Sequence, residues 1–179
     1  MQNSRPDTSP RIAVSACLLG EAVRYDGTDK RDGSICGELA DQYELVPVCP
    51  EVGAGLGVPR PPVHLTGERE APRALGVEDD SLDVTAPLQA YIDTLLDELD
   101  GVDGAILKAR SPSCGLAVPV RDAGGRPHPG MGLFARALAA RRPDLPLADE
   151  ADLADPERRQ VFLARVQAHA RRRQGAGGA

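Results

Sequence analysis

Four apolar runs, at residues 12–16, 45–48, 104–107 and 145–148, are too short to be helices and are separated by segments with helical patterning. Strands that alternate with helices leave few ways to bury both faces of a sheet. The pattern predicts a three-layer α/β, Rossmann-like single domain with a largely parallel sheet. The domain is expected over residues 11–170, with the polar or Gly-rich stretches 1–10 and 171–179 as flexible tails.

The clearest helix is expected over residues 87–100. Leu88, Tyr91, Ile92, Leu95, Leu96 and Leu99 fall on one stripe, Pro87 suits the first turn and Gly101 the C-terminal cap. A shorter helix is expected over 34–43, with Ser34 as N-cap and Ile35 and Leu39 on one face. Residues 132–141 should form another. Asp155-Pro156 should open the last, with Phe162, Val166 and His169 inward. The stretch 50–62 is rich in breakers and cannot be regular for long. Residues 116–120 and the turn Asp122-Ala123-Gly124-Gly125 suggest an edge strand or hairpin.

Three of the four cysteines stand where an apolar run meets a turn: Cys17 in VSACLLG, Cys49 in LVPVCPE and Cys114 in ILKARSPSCG. Parallel strands deliver their following residues to one edge of the sheet, so three thiols far apart in sequence can converge. Taken singly, a cysteine is a small buried hydrophobe. Three in the same strand-end setting read as ligands of a metal or cluster site with an open position. No CxxC occurs, so zinc-ribbon and ferredoxin-type local motifs are absent. Cys36 lies in the helix-like SICGELADQ, away from any strand end, and reads as incidental.

Glu51, two residues after Cys49, is a candidate general acid or base. Ser111 and Ser113 flank Pro112 just before Cys114 and could hydrogen-bond a substrate or cluster sulfurs. Arg24 could pair with Asp26 across a tight turn or bind an anion. Of 21 basic residues only Lys30 and Lys108 are lysines, and both fall in these same segments, where a compact donor serves differently from a guanidinium fork. Gly53, Gly55 and Gly57 lack the spacing of a dinucleotide loop, and Pro59, Pro61 and Pro62 forbid the helix that would follow one. His64, His128 and His169 show no metal-ligand spacing and read as structural.

A net charge of −6 argues against a phosphate-tracking surface, and the chain has no Trp, two Phe and three Tyr, too few for a nucleic-acid stacking platform. A small-molecule partner fits better than a polymer. The polar N-terminus lacks a signal-peptide core, and no apolar stretch approaches the ~20 residues of a membrane span, which points to the cytoplasm. There, cysteines serve as ligands or nucleophiles more often than as disulfide partners. Oligomeric state is not legible.

The segments VSACLLG with RYDG, VPVCPEVGAGLGVPRPP and AILKARSPSCG together resemble the DUF523 family, which includes bacterial thiouracil desulfidases; GMGLFARAL and the terminal helix extend the likeness more loosely. The resemblance implies a [4Fe-4S] cluster held by Cys17, Cys49 and Cys114, with one iron left open. It implies a non-redox desulfidase that removes sulfur as hydrosulfide from a small thiolated base such as 2-thiouracil. Glu51 and a serine, Ser111 or Ser113, would assist, with Arg24, Asp26 and Lys108 as substrate or structural support. Val23 stands where some relatives carry a further cysteine. Two other readings use the same thiols: a non-catalytic or redox-sensing iron–sulfur protein, and a structural zinc site, for which four ligands are expected.

Overall fold

A computed structural model describes residues 9–176. Sheet A has the order β2-β1-β5-β8, with every neighbouring pair parallel: β1 is Arg11–Ser15, β2 Glu44–Val48, β5 Gly104–Leu107 and β8 Leu147–Asp149. Side chains alternate across the sheet, as the two-residue period of a strand requires. Ala13, Val48, Ala105 and Leu107 join one apolar core, while Ile12, Val14, Ile106 and Ala148 join the other. Helix α3 (Thr85–Glu98) and α4 (Leu133–Arg141) pack on the first face. On the second lie a π-helical turn (Ile35–Leu39), which runs into the short α1 (Ala40–Gln42), then α5 (Glu150–Ala154) and α6 (Pro156–Ala176). Helices on both faces give the expected three layers.

A second sheet was not foreseen. Its order is β4-β3-β6-β7, from β3 (Val63–Glu68), β4 (Ala71–Gly76), β6 (Val118–Arg121) and β7 (Pro127–Gly130). Only β3 and β6 run parallel; the other two pairs are hairpins. The expected hairpin after residue 116 is therefore present, but β6 is an inner strand and β7 the edge. Leu65, Ala74, Val118 and Val120 tie this sheet to the α3/α4 core.

The α3 stripe is buried at Leu88, Ile92, Leu95, Leu96 and Leu99, each full burial contributing about 1.5–3 kcal/mol. Its C-terminus ends differently from the expectation. Leu99, not Gly101, is the cap residue, and the Arg142 guanidinium donates to the Leu99 and Val102 carbonyls at 2.7 and 2.9 Å. A cationic donor on those carbonyls removes the need for a left-handed glycine. Ser34 likewise does not cap its helix: it is itself helical, and Asp32 Oδ1 accepts the Ser34 and Ile35 N–H groups at 2.9 and 3.1 Å. Helix α6 extends through Ala176, so residues 171–176 are helical rather than a tail; residues 1–8 and 177–179 lie outside the described residues.

Asp103, fully buried at the start of β5, anchors α6 to the sheet. It accepts the Arg11 N–H at 3.1 Å and two Arg173 N–H groups at 2.9 Å each, and His169 Nδ1 lies 3.1 Å away. Burial pushes this carboxyl up, but the Arg173, Arg11 and His169 contacts together outweigh it and hold the pKa below its ordinary value. A depressed folded pKa contributes stability above the unfolded value of about 3.9 and loses it as pH falls through the folded value. Asp103→Asn is therefore expected to lower unfolding free energy at pH 7 by about 3 kcal/mol, with the gap to wild type closing below about pH 4. Urea unfolding at pH 7 and pH 3 measures both; an equal gap at the two values would refute the assignment.

Candidate functional site

A cavity of about 430 Å³ opens at the C-terminal ends of β1, β2 and β5, a volume in the range of small-molecule sites. It lies beside β1, where the β1–β2 connection crosses one face of sheet A and the β2–β5 connection, carrying α3, returns over the other, the crevice in which open α/β sheets bind ligands. Cys17, Cys49 and Cys114 all line it.

Each thiol is placed by its local backbone. Cys17 sits in a 3-10 turn, Ala16–Leu19, stopped by Gly20 at φ 93°, a left-handed value that favours glycine. The Cys17 carbonyl accepts the Lys30 N–H at 2.9 Å, folding the following loop back over the turn. Cys49 precedes α2 (Pro50–Gly53), the one regular turn in the breaker-rich stretch, with Pro50 at its first position. Cys114 ends the Ser-Pro-Ser loop, which α4 locks in place. The first N–H groups of that helix have no intrahelical acceptors; those of Leu133 and Phe134 donate to the Pro112 and Ser113 carbonyls at 3.0 and 2.8 Å. Gly132 packs so closely that a Cβ there would sit 2.6 Å from Ser113 backbone atoms. This is why the Gly-Met-Gly-Leu-Phe segment belongs with the site.

Burial governs the thiols. It pushes Cys17 up to about 11, partly offset by Lys108 and Arg24. It pushes Cys49 and Cys114 up as well; the Val52 N–H offsets part of the first and a hydrogen bond from Ser15 part of the second. Cys114 is raised further by Glu51 and then by Cys49 and Cys17, and Cys17 by Cys49. All four cysteines are free thiols, and Cys36 is not on the cavity wall; its Sγ lies 3.5 Å from the Leu18 carbonyl.

Glu51 and Ser113 meet directly: the Ser113 hydroxyl donates to Glu51 Oε1 at 2.8 Å. Ser111 lines the cavity too, but its Oγ accepts the Ser113 and Cys114 N–H groups at 3.3 and 3.1 Å, setting the loop's turn. Arg60, which sequence reasoning missed, supplies the rest. Its Nε and Nη2 each lie 2.7 Å from Glu51 Oε2, with Arg60 and Glu51 side chains only 7% and 12% exposed. Nη1 donates to the Gly57 carbonyl at 2.8 Å. The signal available was a lone arginine inside Val-Pro-Arg-Pro-Pro, where the rigid chain leaves the side chain little freedom.

Lys108 also lines the cavity, paired with Glu150, which accepts the Ala109 N–H at 2.8 Å as well. The Lys108 backbone N–H donates to Ser15 Oγ at 2.9 Å. Arg24 is on the wall; Asp26 is not. Asp26 stays outside, 3.6 Å from Arg24 Nε and accepting the Thr28 hydroxyl at 2.7 Å. Lys30 completes the pair of lysines on the wall, and Arg110 lines it with φ 61°, an uncommon left-handed value for a non-glycine residue.

The cavity thus carries five cationic side chains and one carboxylate, the reverse of the chain's overall charge. A group ligated by three anionic thiolates fits such a lining. Among the described residues no group of three His, Cys, Asp or Glu side chains could hold a single metal ion. Thiolates that bind one shared zinc must approach within about 2.3 Å of it, whereas those of a cluster each bind a different iron.

A model of the 2-thiouracil desulfurase family matches residues 12–150. The chain is 30% identical over 118 residues to the uncharacterized protein YbbK of Bacillus subtilis (strain 168), covering 58% of this chain and 72% of that protein. It superposes with a TM-score of 0.69 on the [4Fe-4S]-dependent thiouracil desulfidase TudS (DUF523Vcz), at 32% identity, covering 87% of this chain and 99% of the other. No helix among the described residues is long and apolar enough to cross a membrane.

Proposed function

The chain belongs to the 2-thiouracil desulfurase family, and from that premise we propose that it is a [4Fe-4S]-dependent, non-redox desulfidase that hydrolyses the C–S bond of a small thiolated base such as 2-thiouracil. The observation that carries this reading is the convergence of Cys17, Cys49 and Cys114 with the Arg60–Glu51–Ser113 array on one cavity.

The three thiolates would hold the cluster. When bound, it supplies an iron with no protein ligand, a Lewis acid for the thiocarbonyl sulfur. The chain's own residues do the rest. Arg60 occupies both acceptor directions of Glu51 Oε2, while Ser113 takes one of the two at Oε1. The remaining acceptor site is therefore on Oε1, beside Ser113, and a water bound there gives its proton to that oxygen as it attacks the ring carbon. The Ser113 hydroxyl keeps the carboxylate from turning. Thiouracil and water yield uracil, hydrosulfide and one proton, the one that Glu51 takes from the water and then releases, so atoms and charge balance with no external oxidant or reductant.

Protein purified without oxygen is expected to contain iron and acid-labile sulfide in equal amounts and to release sulfide from 2-thiouracil. A loaded cluster without sulfide release would favour the redox-sensing alternative. Zinc in place of iron would remove both readings.

A further inference from the structure

Of the two Phe and three Tyr in the chain, Phe134, Phe162 and Tyr43 are buried in the cores and Tyr91 packs against one. Tyr25 is the exception. It is 41% exposed and is the one aromatic residue on the cavity wall. An exposed tyrosine in a turn is ordinary; this one sits on a frame built to hold it still. The Gly27 N–H donates to the Arg24 carbonyl at 2.9 Å, the Arg24 N–H to the Thr28 carbonyl at 3.2 Å, and Asp26 accepts the Thr28 N–H at 3.1 Å. The Tyr25 carbonyl accepts the Arg60 N–H at 2.8 Å. Since the Arg60 guanidinium fixes Glu51, one residue sets both the turn and the carboxylate. The Arg24 guanidinium carbon lies 5.6 Å from the Tyr25 ring centroid, within range of a cation–π contact that steadies the ring.

We propose that Tyr25 is the stacking platform for the planar ring of the substrate, and so a positioning and specificity residue; this rests on the desulfidase reading above. Stacking engages a ring by its face and leaves the edge free. The thiocarbonyl and ring N–H groups lie on that edge, where the thiols and Glu51 must meet them. Base–aromatic stacking tolerates different ring substituents because every base has a π-face. Tyr25 would then select planar heterocycles over acyclic thiocarbonyl compounds.

The test uses oxygen-free holoprotein. Tyr25→Leu, and Tyr25→Gln as a second non-aromatic variant, are expected to raise KM for 2-thiouracil about tenfold with kcat retained. Equilibrium dialysis with uracil should show the same loss, and Tyr25→Phe should stay near wild type in both measurements. Iron content screens for misloaded protein, and either non-aromatic variant that loads suffices. Unchanged KM and unchanged uracil binding in the loaded variant would overturn the proposal. So would a Tyr25→Phe variant as impaired as Tyr25→Leu, since the hydroxyl rather than the ring would then be responsible. Ring-dependent uracil binding in a wild-type protein that releases no sulfide would leave the platform standing and remove the desulfidase reading instead.

Discussion

Glu51→Gln is expected to lower 2-thiouracil turnover by about 10²- to 10⁴-fold, the usual contribution of a positioned general base. The amide keeps the size of the side chain and can still accept from Ser113, so iron and sulfide content should match wild type. What it loses is the negative charge that makes Oε1 basic enough to take the water proton. It also leaves Arg60 facing a neutral group in a site where both side chains are nearly buried, so a modest loss of stability accompanies the kinetic one. The informative comparison is Arg60→Met. If Arg60 acts only by orienting Glu51, that variant should fall less than Glu51→Gln in kcat and show the same KM. Sulfide release measured under anaerobic conditions decides it: a Glu51→Gln enzyme as fast as wild type would mean that water is activated elsewhere.

The second large effect is expected at the thiols. Cys114→Ala removes a buried side chain that belongs to the α3/α4 core. The lost volume is small, so the apo fold should persist. With two thiolates left on the wall, iron content is expected to collapse and sulfide release to fall to background. Cys36→Ala should retain both, because Cys36 is outside the cavity and its Sγ is turned to the Leu18 carbonyl, 3.5 Å away. Iron and sulfide analysis of the two variants side by side checks this. A Cys114→Ala protein with wild-type iron, or a Cys36→Ala protein without it, would overturn the ligand assignment.

Elements with a strong local period were legible in the chain. The α3 stripe, the four strands of sheet A and the start of α6 at Asp155-Pro156 all appear where the pattern puts them, within a residue or two, although the edge strand β2 is buried only at Val48. Sheet B was not legible beyond its β6–β7 hairpin. Its buried positions in β4 are Pro72, Ala74 and Gly76, small residues that carry no strand signal. Caps were misread for a related reason. Whether Ser34 or Asp32 caps a helix, or Gly101 or Arg142 satisfies its last carbonyls, depends on donors and acceptors brought from elsewhere in the chain.

The sequence by itself determined the residue types at the strand ends and in the loops that follow them: three thiols, a carboxylate two residues past one of them, two serines before another and two rare lysines. Parallel strands share an edge, so that placement follows from topology alone. Only the tertiary structure decided which of these groups touch. Arg60 reaches Glu51 because the proline-rich segment folds back on α2. Ser113 rather than Ser111 meets the carboxylate because the N–H groups of α4 pin the loop in one orientation. Strand position is set by local hydrophobic period, whereas hydrogen-bond partners across nine or 62 residues are chosen by packing that no local pattern records.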